Sequence, residues 1–194
     1  MIRVVSGIRS YHRAQAAALY WEAFGPKLDR ALGPAARGCE FVERVLRVDH
    51  AISAVDDDDR LIGIAGFKTH KGALVEGGLT DMVEVYGYLG GLWRTLALGL
   101  LATDEENERF LIDGLCVARH ARGQGVGRAL IAAIKAEAQS RGYAEVRLDV
   151  ITTNIRARAL YEREGFQAVQ TKRIGPLRLL FGFEAATTMI SPTR

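Results

Sequence analysis

Three glycines alternate at positions 123, 125 and 127 in the run Arg122-Gly-Gln-Gly-Val-Gly-Arg128, between an apolar strand-like stretch and a helix rich in Ala, Leu and Ile. Glycine lets backbone N–H groups turn toward a ligand with no Cβ in the way. The helix that follows adds its unsatisfied amino-terminal donors and the positive end of its dipole. A strand, turn and helix in this order form a place that binds phosphates.

Two familiar phosphate loops are excluded by single positions. The dinucleotide fingerprint G-x-G-x-x-G would need glycine at 128 or 130, where Arg128 and Leu130 stand. The pattern G-x-x-x-x-G-K-[ST] fails because no Gly-Lys-Ser or Gly-Lys-Thr occurs. What remains is R-x-x-G-x-G, filled by Arg122, Gly125 and Gly127. A helix start that needs tight turns and binds nothing is the alternative reading.

Around this turn the second half alternates strands and helices. The pattern predicts a strand over 109–118, a helix over 124–141, a strand over 144–151, a helix over 155–164, and strands near 166–172 and 177–183. The first three imply a parallel pair joined by a right-handed crossover. Upstream, a helix is expected after Ser10 as N-cap, with Ala14, Ala17, Trp21 and Phe24 on one stripe, stopped by Gly25-Pro26. A second helix is expected over 35–47. Strands 51–55 and 61–67 read as an antiparallel hairpin about the solvated turn Asp56 to Asp59, whose consecutive carboxylates lack the alternation of a calcium loop.

The stretch 79–102 is apolar almost all round, but Asp81, Glu84 and Arg94 argue against a membrane span. Its four glycines predict a bend or close packing, so it reads as a buried or partner-covered helix, or else as a wall of a substrate pocket.

At 194 residues, 48 % apolar and 25 % charged, the chain is expected to fold as one domain, 1–194, with an apolar helical insertion around 71–103. A net charge of +3 gives little general grip on nucleic acid or an acidic membrane. The amino terminus has no apolar leader core, which points to a cytoplasmic location. Cys39 and Cys116 make no disulfide framework and are expected to be reduced. His12, His50, His70 and His120 share no ligand spacing, so no metal is expected.

A second motif lies at Asn154-Ile-Arg-Ala-Arg-Ala-Leu-Tyr161-Glu-Arg-Glu-Gly165-Phe166. Asn154 can cap a helix, Ala157 and Leu160 can face the core, and Gly165 can end the helix before a strand resumes. With the glycine turn, this segment resembles the GNAT (GCN5-related) N-acetyltransferase family, whose signatures are R-x-x-G-x-G and N-x-x-A-x-x-L-Y-x-x-x-G-F. The resemblance covers roughly the final half of the chain. It implies an α/β (α+β type) fold, with a mixed, mostly antiparallel sheet flanked by helices and splayed where strands 109–118 and 144–151 diverge.

The resemblance also implies acetyl-CoA as co-substrate, with no metal, in an N-acetyltransferase whose primary-amine acceptor attacks directly in a ternary complex. Backbone groups of Leu115, Cys116 and Val117 would pair with the pantetheine arm, and a backbone N–H near Val117 would hold the oxyanion. The turn of Arg122, Gly123, Gln124, Gly125, Val126, Gly127 and Arg128 would hold the diphosphate, with Asn154 and Tyr161 also in the cofactor site and Arg156 and Arg158 as further phosphate contacts. Tyr161 falls at the position of the general acid that protonates the leaving thiolate. Its other reading is an aromatic ring packed on the cofactor.

Acetyl transfer also needs a base for the amine. Asp113 and Asp149 are candidates, both carboxylates in apolar strands, each equally able to pair with an arginine. Alternation puts Asp113 on the side of Leu115 and Val117, and Asp149 on the side of Arg147 and Ile151. Two rival functions remain at this point: a non-catalytic acyl-CoA-binding module, and a transferase for a longer acyl chain if 79–102 opens into the cleft. The same apolar stretch would suit a homodimer interface.

Overall fold

The computed structural model describes residues 1–101 and 109–193. Among these are the strands β1 Arg3–Ser6, β2 Ala51–Val55, β3 Leu61–Lys68, β4 Phe110–Val117, β5 Glu145–Ile151, β6 Gln167–Arg173 and β7 Ala185–Pro192. The helices are α1 Arg13–Leu32, α2 Ala35–Val45, α3 Leu79–Tyr86, α4 Tyr88–Leu101, α5 Val126–Ser140, α6 Ile155–Arg163 and α7 Arg178–Phe181. The strands form one mixed sheet in the order β1-β2-β3-β4-β5-β7-β6. Of its neighbouring pairs only β4 and β5 run parallel, joined by the crossover helix α5 as expected.

That parallel pair is short. Phe110 faces Val146, Leu111 faces Arg147 and Ile112 faces Leu148, and beyond Ile112 the two strands part. A bulge in β4 sits at the parting point: Gly66 of β3 lies opposite Gly114 and Phe67 opposite Ile112, which leaves Asp113 as the extra residue. A bulge resets the inward and outward alternation of a strand. Ile112 accordingly packs in the layer of Leu130, Ile131 and Ile134 of α5, while Cys116 packs in the opposite layer with Ala16, Ala17 and Val42. Each fully buried aliphatic side chain of these layers contributes about 1.5–3 kcal/mol, so the register about the bulge is firmly held.

Several expectations are corrected. Helix α1 runs through Gly25-Pro26, which was expected to stop it. Gly25 offers no Cβ to the proline ring, Pro26 and Glu22 are exposed so the carbonyl that loses its N–H partner is open to solvent, and Ala31 and Leu32 beyond are buried against Phe41, Tyr86 and Phe181. Ser10 is not an N-cap: it opens a 3-10 turn and its side chain makes no capping bond. The entry to α1 is fixed instead by His12 Nε2, 2.7 Å from the Asp59 carbonyl oxygen, and by Arg13, which donates to the carbonyls of Glu43 and Arg44.

The acidic turn is more than a solvated loop. Asp59, at a φ of 60°, accepts from Arg3 at 2.7 Å and Tyr11 at 2.6 Å and also pairs with Arg9. Residues 177–183 are not a strand. Leu177, Leu180 and Phe181 repeat at helical spacing, α7 buries Phe181 beside α1, and the final strand is β7, whose small polar residues Thr187, Thr188 and Ser191 are buried.

The apolar stretch 79–102 breaks at Gly87, with φ 74°, into α3 and α4. Helix α3 buries Met82 and Tyr86, but α4 leaves Leu89 80 % and Leu96 64 % exposed. The expected burial therefore holds for its first half. Residue 102 of that stretch, and 102–103 of the wider 71–103, lie outside the described residues. Among the described residues no helix is long and apolar enough to cross a membrane.

Candidate active site

Where β4 and β5 part, two adjoining cavities open. The larger, about 1030 Å³, is lined by Leu115, Cys116 and Val117 on one side and by the start of α5 on another. On the β3 side these three residues face Ala65, Ile64 and Gly63 in the ladder. Their other edge has lost β5 and presents backbone groups, of which the Val117 carbonyl is taken up by Arg122. The Cys116 side chain lies in the opposite layer, where burial pushes its thiol pKa up.

The glycine turn closes the far end of this cleft. Gly123 and Gly125 adopt φ of 80° and 87°, left-handed values that glycine takes without strain, and nothing fills the space where a Cβ would sit. Gly125 caps α5, whose first N–H groups have no partner within the helix. Val126, Gly127 and Arg128 line the cleft with them. Gln124 does not: its amide donates to the His120 carbonyl at 2.8 Å.

Five arginines, Arg119, Arg122, Arg128, Arg156 and Arg163, line the same cleft. Arg122 is turned back on the protein, with Nε donating to Val117 O at 3.0 Å and a second nitrogen 3.4 Å from Glu22. Arg158, expected near the phosphates, pairs with Glu162 at 2.9 Å and is not in the lining.

The smaller cavity, about 270 Å³, shares the lining residues Leu115, Asn154, Ala157 and Leu160 with the larger one, so the two adjoin. Asn154 caps α6, its side chain accepting from Ala157 N–H at 3.2 Å. Tyr161 lines this chamber, 8 % exposed, with its ring 5.8 Å from that of Phe166. Burial pushes the Tyr161 hydroxyl up to about 12. The opposite wall comes from α1, through Tyr20, Phe24, Lys27 and Leu28, and from Phe181 and Phe183.

Both candidate carboxylates border the chamber, in different settings. Asp113, as the bulged residue, does not share a side with Leu115, contrary to simple alternation. Its carboxylate lies beside the backbone of Leu74 and Val75 in the opposite layer, and burial raises its pKa. Asp149 stands on the side of Arg147, as expected. It pairs with that guanidinium at 3.0 Å and accepts from Thr188 Oγ1 at 2.5 Å, while its side chain keeps 38 % of its exposure.

The α1 residues Tyr20, Glu22, Phe24 and Lys27 were not read from the sequence as site residues, although Phe24 was placed on the stripe of the first helix. The signal was present in the spacing i, i+4, i+7 of Tyr20, Phe24 and Lys27, and was cut by ending the helix at Gly25. No residue lining either cavity comes from α3 or α4 among the described residues. Nor do three or more His, Cys, Asp or Glu side chains stand together there in a way that could hold a metal ion.

The cleft thus offers phosphate-seeking N–H groups at one end, an open strand edge along its length and a small apolar chamber at the other end. A sequence model described as the acetyltransferase (GNAT) family matches residues 14–166. No curated protein sequence matches the chain. Among solved structures, a GCN5-related N-acetyltransferase from Kribbella flavida superposes with a TM-score of 0.62 at 18 % identity, covering 98 % of this chain and 97 % of that one. Nourseothricin acetyltransferase gives a TM-score of 0.50 at 23 % identity over 74 % of this chain, which spans only 65 % of that protein. An acetyltransferase from Bacillus anthracis str. Ames, in complex with acetyl coenzyme A, gives 0.51 at 18 % identity over 73 % of this chain and 61 % of its own.

Proposed function

Since the chain belongs to the acetyltransferase (GNAT) family, we propose that it transfers the acetyl group of acetyl-CoA to a primary amine by direct attack in a ternary complex. The observation that carries this reading is the adjacency of the two cavities, since the cleft of the glycine turn and the chamber of Tyr161 share Leu115, Asn154, Ala157 and Leu160 in their walls. On this reading residues 1–194 act as one domain, with α3 and α4 as an insertion.

The residues present fit the coenzyme. Gly123 and Gly125 leave open the space a Cβ would occupy, and the freed edge of β4 beyond Ile112 suits an amide-bearing arm. Backbone groups of Leu115, Cys116 and Val117 hold the pantetheine, and the 122–128 turn holds the diphosphate. Acetyl-CoA supplies the activated acyl carbon.

Val117 N–H stabilises the oxyanion that develops as nitrogen bonds to the acyl carbon. With its hydroxyl at about 12, Tyr161 is a weaker acid than an ordinary thiol, near 8.5. It therefore serves by donating a hydrogen bond to sulfur as the C–S bond breaks. The amine proton leaves through Asp149 or solvent and completes the thiol, so the sum is amine plus thioester giving amide plus thiol. Asp149, partly exposed, suits the proton better than Asp113, which the bulge turns into the opposite layer beside Leu74 and Val75.

The test is thiol release from acetyl-CoA across a panel of primary amines, beside calorimetric titration of acetyl-CoA. Amine-dependent thiol release with saturable coenzyme binding is expected. Tight binding without release across the panel overturns catalysis in favour of a binding module, and equal turnover of longer acyl-CoAs overturns acetyl as the transferred group.

A further inference from the structure

Lys27 carries a charge that the site as described does not use. It lines the smaller cavity one helical turn beyond Phe24, with its ammonium 5.4 Å from the centre of the Phe24 ring. No carboxylate stands within ion-pairing distance of it among the described residues. The other charges of the chamber are already compensated. Asp149 has Arg147 and Thr188, and Asp113 has the nearby charge of Lys68 and the backbone of Leu74 and Val75 beside it. The charge in this chamber that lacks a counter-ion is therefore positive.

A half-buried ammonium loses hydration that a cation over an aromatic ring only partly restores. Burial accordingly pushes its pKa down. An anion entering the chamber would remove that penalty and form a charge-assisted hydrogen bond. The coenzyme's phosphates are not that anion on this geometry, because the larger cleft has its own arginines and Lys27 is not in its lining.

The walls limit the remainder of the ligand. Tyr20, Phe24, Phe181 and Phe183 are aromatic, and about 270 Å³ lies just below the usual range for small-molecule pockets. We propose that Lys27 is the specificity-determining residue for the acceptor, binding a carboxylate, so that the acceptor is a small amino acid with an apolar side chain. This inference rests on the acetyltransferase reading.

The experiment compares matched acceptors differing only in the carboxylate: L-phenylalanine with 2-phenylethylamine, and L-leucine with 3-methylbutylamine, at saturating acetyl-CoA. The wild-type protein should favour the carboxylate-bearing member about 10-fold or more in kcat/KM. Lys27→Met should abolish that preference by raising KM for the amino acids while leaving KM for acetyl-CoA unchanged, and Lys27→Arg should keep it. Equal or better turnover of the decarboxylated amines by the wild type, or a preference that survives in a folded Lys27→Met protein, overturns the proposal and leaves acetyl transfer standing.

Absence of thiol release with every amine is a failure of the underlying reading. The acceptor proposal is then read by calorimetry with N-acetyl-L-phenylalanine against N-(2-phenylethyl)acetamide in the presence of CoA. Lys27-dependent selectivity for the former supports the proposal, and no selectivity or no binding overturns it.

Discussion

Glu22 Oε1 accepts from Arg119 Nε at 2.7 Å and lies 3.4 Å from a terminal nitrogen of Arg122, so one carboxylate at the mouth of the large cleft occupies two of its arginines. It holds both guanidinium groups toward α1 and adds a negative charge to the cleft that is read as taking the diphosphate. Replacing Glu22 by Gln should free both arginines and remove the repulsion. Because the pair is well exposed, the gain is modest, roughly 5-fold tighter acetyl-CoA binding. Calorimetry at two ionic strengths should also show a steeper salt dependence than in the wild type; unchanged affinity and salt slope would mean that these arginines do not meet phosphate.

Tyr161→Phe removes the hydroxyl and keeps the ring that packs against Phe166. If the hydroxyl assists the departing sulfur, kcat should fall about 100-fold or more while the dissociation constant for acetyl-CoA stays within twofold. Turnover equal to wild type would reduce Tyr161 to a packing role.

Gly125 caps α5 at a φ of 87°. A valine there is strained by its backbone conformation, costing about 1–2 kcal/mol, and places a branched side chain in the open space of the turn. Gly125→Val should lower the melting temperature slightly and raise the KM for acetyl-CoA much more, a split that a purely structural turn would not give.

The two carboxylates should separate cleanly. Asp149→Asn should lower kcat at neutral pH and leave coenzyme affinity intact. Asp113→Asn should chiefly alter stability, measured by urea denaturation, because that carboxylate is buried at the β4 bulge beside the Leu74–Val75 segment. The reverse pattern would assign the base to Asp113.

Alkaline stability follows from three phenols that burial pushes up, Tyr20, Tyr86 and Tyr161. Tyr161 and Tyr86 are both pushed up by burial, from 10.0 to about 12. A group whose pKa is higher folded than unfolded gives stability that is fully present below pH 10 and lost as pH rises toward 12. Tyr161 accounts for ~2–3 kcal/mol of that loss. Urea midpoints at pH 9, 10 and 11 should fall progressively, and Tyr161→Phe should flatten the fall; a flat wild-type profile would contradict the burial argument.

The elements legible in advance were those whose apolar pattern is regular and whose ends carry punctuation. Asn154 caps α6, Gly165 ends it at a φ of 86°, and the crossover from β4 through α5 to β5 is where the sequence puts it. Strand β7 was missed because Thr187, Thr188 and Ser191 are polar residues buried by their sheet neighbours, and α7 was misread because a short apolar run fits either period. Lys27 escaped notice for a related reason: a proline after glycine reads as a stop, and only packing beyond it keeps the helix going.

Sequence alone therefore determined the glycine turn, the βαβ frame around it and the family of folds to which they belong, because backbone freedom at Gly123 and Gly125 and the alternation of apolar residues are local properties. Tertiary structure decided which way the carboxylates and the lysine face. A bulge at Asp113 turns its carboxylate away from the side of Leu115, and the burial of Ala31 and Leu32 carries α1 past Pro26 to bring Lys27 into the chamber. Both depend on contacts between segments far apart in the chain, where packing outweighs local preference.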